Sequence, residues 1–267
     1  MSVIWQACAQ FASAVGLRQT VLGIRNKYSR LIREPLLRAA LRQQFTATGT
    51  LPSICLSGDF SGSTISRLAR TSFEDALNNK SKLSQAIRDI EGMSGQKYRS
   101  FINNFICGLT DARYLEIGSW MGSTVAAALY GDTARALCID NWSQFGGSKA
   151  QFDSNLELVR SKDVHIDLVE QDFHTVDFSS MDIFNVYLFD GPHGEFEQYD
   201  GITLPQPALT SPCLVTVDDW NWLQVRIGTF RALKDAKCRI ECSIEVRTTL
   251  DNTTPELCAE VGDGVKG

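Results

Sequence analysis

No two cysteines in this 267-residue chain have CxxC spacing, although eight are present, at positions 8, 55, 107, 138, 213, 238, 242 and 258. Several lie inside apolar runs such as Ala136-Leu-Cys-Ile139. The pattern reads as reduced, buried thiols of a cytoplasmic protein, against a disulfide framework or a zinc site. Cys238 and Cys242 come closest together, with no histidine placed to complete a metal site. No run reaches the ~18 apolar residues of a membrane span. The first sixteen residues lack the basic start and cleavage site of a signal peptide. Positive charge is also short over most of the chain. The net charge is −5, yet residues 1–50 carry seven Lys or Arg against one acid, Glu34. The remainder is therefore strongly acidic, which argues against nucleic acid as a partner, because neutralising phosphates supplies most of that affinity. No internal repeat is present.

The basic head sets the first division of the chain. Residues 17–45 are helical in composition, with apolar positions interleaved with arginines and a break at Pro35. Such a segment either covers part of the main domain or docks on an anionic membrane surface or a partner protein through residues 1–45. Residues 46–66, rich in Gly, Ser and Thr, read as a loop. Thr71-Ser-Phe-Glu74 has the form of a capping box and predicts a helix to about Ile90. A second helix is predicted over 95–109. The division is a basic helical extension and linker over 1–70 and a main domain over 71–267. From Arg113 the period changes. Short apolar runs at 114–117, 136–139, 164–169, 186–189, 214–217 and 240–246 alternate with helical stretches at 123–130, 150–160, from 195, and 225–234. Strands alternating with helices predict βαβ units, hence an α/β domain with a doubly wound, mainly parallel sheet and helices on both faces. Ligands of such sheets sit outside the carboxyl ends of the strands.

Residues able to do chemistry fall at those ends. The first strand runs into Glu116-Ile-Gly-Ser-Trp-Met-Gly-Ser-Thr124, in which Gly118 and Gly122 permit a tight turn and a close ligand approach. Its glycines are four apart and an acid opens it, unlike the GxGxxG fingerprint of dinucleotide sites. Glu116 would repel a pyrophosphate and suits the ammonium of an amino-acid group. Asp140, after the second strand, can accept ribose hydroxyls, with Asn141 and Trp142 beside it and the Trp142 ring available to an adenine face. Asp172 and Phe173 follow the third strand and can meet the adenine edge. Each acid alone is equally readable as a turn or helix cap. The fourth strand ends in Phe189-Asp-Gly-Pro-His193 and the fifth in Val217-Asp-Asp219. Asp190, Asp218 and Asp219 offer hard oxygen ligands to Mg²⁺ or another divalent cation. His193 is matched to proton abstraction near neutral pH.

From about Gly95 to Leu233 the chain resembles the class I, Rossmann-like S-adenosylmethionine-dependent methyltransferases. The resemblance implies that Glu116, Gly118, Ser119, Gly122, Ser123 and Thr124 line the methionine part of S-adenosylmethionine. It implies ribose contact by Asp140, with Asn141 and Trp142 alongside, adenine contact by Asp172 and Phe173, and Asp190 next to the cofactor. The acids after the fourth and fifth strands are similar to those of metal-dependent O-methyltransferases of the catechol and macrocin types, where His193 stands in place of a lysine base. The implied activity is methylation of a hydroxyl on a small-molecule or glycan acceptor, with or without a metal. A non-catalytic cofactor-binding module and a homo-oligomer remain open.

Overall fold

The computed structural model describes residues 53–146 and 149–247; the basic head at 1–45 lies outside the described residues. Five strands form one parallel sheet: β2 (Ala112–Ile117), β3 (Ala134–Ile139), β4 (Val164–Val169), β5 (Phe184–Phe189) and β6 (Leu209–Val217), in the order β4-β3-β2-β5-β6. The chain leaves β2 for β3 and β4 on one side, then returns to β5 and β6 on the other. The order therefore reverses between β2 and β3 on one hand and β5 on the other, which opens a crevice above β2 and β5. This is the doubly wound architecture that the alternation of apolar runs predicts.

Side-chain alternation divides the interior in two. Tyr114, Ala136, Cys138, Val186 and Leu188 face a core shared with α3 (Gln96–Cys107), α4 (Ser123–Leu129) and α5 (Lys149–Leu156), through Ile102, Phe105, Val125, Leu129 and Phe152. Leu115, Ile117, Leu137, Ile139, Tyr187 and Phe189 face the opposite core, which takes Ile202 from α6 (Glu195–Thr203) and Ala232 from α7 (Leu223–Asp235). Burial on both faces explains why β2, β3 and β5 read as nearly unbroken apolar runs. The α4 sequence, Ser-Thr-Val-Ala-Ala-Ala-Leu, is buried at every position. Asn103 of α3 ties it in, donating from Nδ2 to the carbonyls of Ala127 and Tyr130 at 2.9 and 3.1 Å.

Three expectations are corrected. The first helix, α1, spans Thr64–Leu77 and so begins one to two turns before Thr71, where the sequence places its capping box. Its capping box is Ser63 and Ser66, with N–H to Oγ bonds of 3.0 and 2.9 Å. Thr71 instead turns its hydroxyl back to the Arg67 and Leu68 carbonyls. The earlier serine pair satisfies the free N–H groups first, and the Gly/Ser composition conceals it. Second, the helical stretch does not reach Ile90: it stops at Asn78, Asn79 takes a positive φ of 58°, and a separate turn, α2 (Gln85–Arg88), follows. Third, residues 53–58 are not loop. They form β1 (Ser53–Gly58), which pairs antiparallel with β7 (Cys242–Arg247) in a two-stranded ribbon apart from the main sheet. The last apolar run therefore does not join the parallel sheet. The six described cysteines are free. Among the described residues no helix is long and apolar enough to cross a membrane.

Candidate active site

Val169, Ile139, Ile117, Phe189 and Val217 are register partners across the five strands, so the strands end level. The next residues, Glu170, Asp140, Gly118, Asp190 and Asp218, make a row along the rim, and four of the five are carboxylates. The N–H groups of Asp140, Gly118, Asp190 and Asp218 carry the ladder one bond further, donating at 3.3, 2.9, 2.9 and 3.2 Å to Val169, Ile139, Ile117 and Phe189. A parallel sheet thus delivers acids that are far apart in sequence to one edge, at the crevice.

Glycine is obligatory in the middle of this row. Gly118 has φ +89°, and a Cβ there would stand 1.9 Å from the Asp190 carbonyl oxygen. The turns after β2 and β5 touch at that point. Gly122 closes the first turn, donating to the Ser119 carbonyl at 2.7 Å with φ +79°. Beneath the turn Glu116 is 1% exposed. Burial raises its carboxyl to about 7, opposed by a short hydrogen bond from the Tyr114 hydroxyl and reinforced by the charge of Asp140. A buried acid of this kind is ready to ionise against an incoming cation. The buried Ser119 hydroxyl beside it also favours the ionised form. Ser123 and Thr124 are buried where α4 begins.

Asp140 clasps two loops. Its Oδ2 accepts from the Trp120 N–H at 2.8 Å and its Oδ1 from the Trp142 N–H at 2.7 Å. Each oxygen keeps capacity for one further donor. Trp120 and Trp142 sit at φ +42° and +48°, a left-handed conformation unusual for tryptophan. The Trp142 indole donates to the Trp120 carbonyl at 2.9 Å and meets Phe152 edge-on. It braces the glycine turn. Asn141 is exposed and accepts from the Ser143 N–H at 3.1 Å. Farther along the rim, Asp172 Oδ1 accepts from the His174 N–H at 2.9 Å and lies 2.8 Å from His174 Nδ1. These bonds hold its carboxyl below the usual range. Among the described residues Oδ2 has no hydrogen-bond partner. Phe173 is a core residue against Phe189, so any adenine contact is left to Asp172 and the local backbone.

The other half of the row gathers the reactive groups. Ligand atoms of Asp190, His193 and Asp218 all lie within 4.8 Å of one another. Asp219, at φ +52°, turns instead to His193, whose Nε2 is 3.4 Å from Asp219 Oδ2 and 3.5 Å from Asp190 Oδ1. Of the three acids assigned to a metal from sequence, two belong to this cluster and the third place is taken by the imidazole. Burial and the neighbouring Asp218 push the Asp190 carboxyl well up. Burial and Asp218 also raise Asp219, to about 6. Burial lowers His193, against the pull of Asp218. The buried Gln198 side chain next to it adds to that upward pull. Two carboxylates and an imidazole suit a divalent cation, Mn²⁺ or Zn²⁺ as readily as Mg²⁺. Crowded acids relieved by a cation are the observation that favours the fit. Over the cluster Trp222, 42% exposed, meets the His193 ring edge-on at 5.9 Å. Trp220 points away, donating its indole N–H to Glu245 on β7 at 2.9 Å. Tyr199 bonds Asp235 at 3.2 Å and stacks on Arg231, so it packs α6 against α7.

No family model and no curated protein matches the chain. Among solved structures it is similar to SMU.776 in complex with SAH, at 13% identity and a TM-score of 0.40, over 51% of this chain and 40% of that one. It is also similar to SAH-bound PaMTH1, a methyltransferase of Podospora anserina, at 14% identity and 0.44, over 72% and 99%. A third is the N-terminal domain of EvdMO1 with SAH and D-fucose, at 16% and 0.33, over 60% and 66%. The chain spans less than half the length of SMU.776. The doubly wound assignment rests on the strand order and crossovers above.

Proposed function

We propose that the chain is an S-adenosylmethionine-dependent methyltransferase acting on a hydroxyl of a small-molecule or glycan acceptor. One observation carries this reading: an amino-acid-suited turn, with Glu116 buried beneath it, shares a single rim with Asp190, His193 and Asp218. The cofactor, when bound, supplies a methyl group on a positively charged sulfur, and the protein's task is alignment. Glu116 would take the cofactor's ammonium, Asp140 its ribose hydroxyls and Asp172 Oδ2 a donor of the adenine. Asp190, His193 and Asp218 would hold a divalent ion, which lowers the pKa of an acceptor hydroxyl. Asp219, with its raised pKa, stands beside them to receive the proton as the new oxygen–carbon bond forms. Trp222 offers the acceptor an apolar face.

A second reading has support of its own. Burial keeps His193 neutral near pH 7, and a neutral imidazole can take the hydroxyl proton with no ion. Calorimetric titration with SAH and with NADH tests the cofactor assignment; tight NADH binding without SAH binding would sink it. Methyl transfer from labelled S-adenosylmethionine to a panel of phenols and sugars, with chelator and then with Mg²⁺ or Mn²⁺, separates the two readings. Activity that survives chelator assigns the base to His193.

A further inference from the structure

Gln198, on α6, is fully buried five residues beyond His193. A buried primary amide is costly unless both of its ends are engaged. Its Nε2 donates to Thr229 Oγ1 on α7 at 3.0 Å. The two helices approach closely here because residue 228 is glycine. A Cβ at Gly228 would stand 2.8 Å from Gln198 Cβ and 2.6 Å from the Glu195 carbonyl oxygen. With the nitrogen turned to Thr229, the amide oxygen is the end that faces elsewhere. The Gln198 side chain hydrogen-bonds the His193 ring and favours its protonated form, as an oxygen acceptor does. Among the described residues Gln198 Oε1 has no other hydrogen-bond partner.

The two nitrogens of the His193 ring have different surroundings. Nε2 faces the rim, 3.5 Å from Asp190 Oδ1 and 3.4 Å from Asp219 Oδ2. Nδ1 is buried, and among the described residues nothing besides Gln198 bonds it. A neutral imidazole carries its proton on one nitrogen and a lone pair on the other. The two carboxylates draw the proton to Nε2, where it would block that atom both as a ligand and as a base. The Gln198 oxygen draws it to Nδ1 and leaves the Nε2 lone pair directed at the acids of the rim. The hydrogen bond on the inner nitrogen thus decides what the outer one can do.

We infer that Gln198 is a positioning residue that holds His193 in its Nδ1–H form, so that Nε2 offers a lone pair to a divalent cation or to an acceptor hydroxyl. The inference rests on the role given to His193 above, in either of its readings, and Thr229 serves it by fixing which way the amide points. The test is two-bond ¹H–¹⁵N correlation spectroscopy of the ion-free, full-length protein with labelled histidine, at about pH 8, above the ordinary range of an imidazole. The chain has three histidines, so the spectrum of His193→Gln assigns the signals by their loss. His193 of the wild type should show a pyrrole-type Nδ1 and a pyridine-type Nε2. Gln198→Met, which keeps the volume and removes the oxygen, should move the proton to Nε2. Gln198→Glu, which keeps an oxygen, should restore the Nδ1–H form. Calorimetric Mn²⁺ affinity should fall roughly tenfold or more in Gln198→Met and recover in Gln198→Glu. An Nε2–H ring in the wild type overturns the inference with no variant needed. So does a folded Gln198→Met protein that keeps the Nδ1–H form or the Mn²⁺ affinity of the wild type. A wild type that shows the Nδ1–H form but binds no Mn²⁺ ends the metal reading and leaves the inference standing, with His193 as the base.

Discussion

At Gly118 two demands meet on one residue: a left-handed backbone and the absence of any atom in the Cβ position. Gly118→Ala should therefore cost about 2–4 kcal/mol in denaturant unfolding, the scale of strain combined with overpacking. SAH affinity should fall with it, since the Asp190 loop must retreat. Unchanged unfolding would show that the two turns do not abut as described. Asp218 sits under a different constraint, because its charge raises the Asp190 carboxyl. Asp218→Asn should stabilise the ion-free protein by on the order of 1 kcal/mol, one pKa unit's worth of relieved repulsion. It should also abolish any rise in melting temperature that Mg²⁺ or Mn²⁺ gives the wild type. An equal metal-induced rise in both proteins would remove Asp218 from the ligand set.

Among elements, those with strong periodicity were legible from sequence and those specified by local polar bonds were not. Strands β2, β3 and β5 announce themselves because both faces are buried, so nearly every position is apolar. The row of acids was legible for the same reason, since each follows directly on such a run. Strand β1 was not, because Ser-Ile-Cys-Leu-Ser-Gly is short, half polar and paired with a strand 184 or more residues away. The burial of Arg99 was not legible, because an arginine on an amphipathic helix reads as solvated, whereas here the carbonyls of Arg88 and Ile90 and the Ser94 hydroxyl hold it inside. The cluster of Asp190, His193 and Asp218 was legible in composition, but the left-handed turn at Asp219, which no neighbouring glycine signals, was not, and it sets that carboxylate against His193. The ribbon's tie to the site can be tested. Trp220→Phe keeps the ring packed on Phe230, 5.5 Å away, but removes the indole donor to Glu245. The loss should be about 1 kcal/mol. Amides of β1 and β7 should then exchange roughly fivefold faster while those of β2 and β5 hold steady. Equal acceleration everywhere would mean that the bond supports the whole domain and not the ribbon.

For the whole molecule, the buried acid under the turn couples stability to pH and to ligand. In the unfolded chain Glu116 ionises once pH passes its ordinary 4.5, but in the folded chain only near about 7. Between these values the folded protein keeps a proton that the unfolded chain has released, so stability falls as pH climbs from 4.5 to 7 and then levels off. The full drop from this one group is roughly 3 kcal/mol at most. Asp190 and Asp219, also raised, act in the same direction, while His193, with its pKa lowered, acts in the opposite one as pH falls below its ordinary 6.5. Comparing wild type with Glu116→Gln by denaturant unfolding from pH 5 to 8 cancels Asp219 and His193 and leaves, besides Glu116 itself, only the part of the Asp190 shift that the Glu116 charge causes. The variant should gain on the wild type steadily up to pH 7 and stay ahead by about 2–3 kcal/mol above it. A ligand ammonium reverses the preference, because it is the ionised carboxylate that binds it. SAH affinity of the wild type should thus rise as pH passes through 7, with a proton released on binding below that point and detectable as a buffer-dependent heat. Glu116→Gln should bind SAH at least tenfold more weakly above pH 7, with no buffer dependence. A variant that is more stable and binds as well as the wild type would separate the buried acid from the ligand altogether.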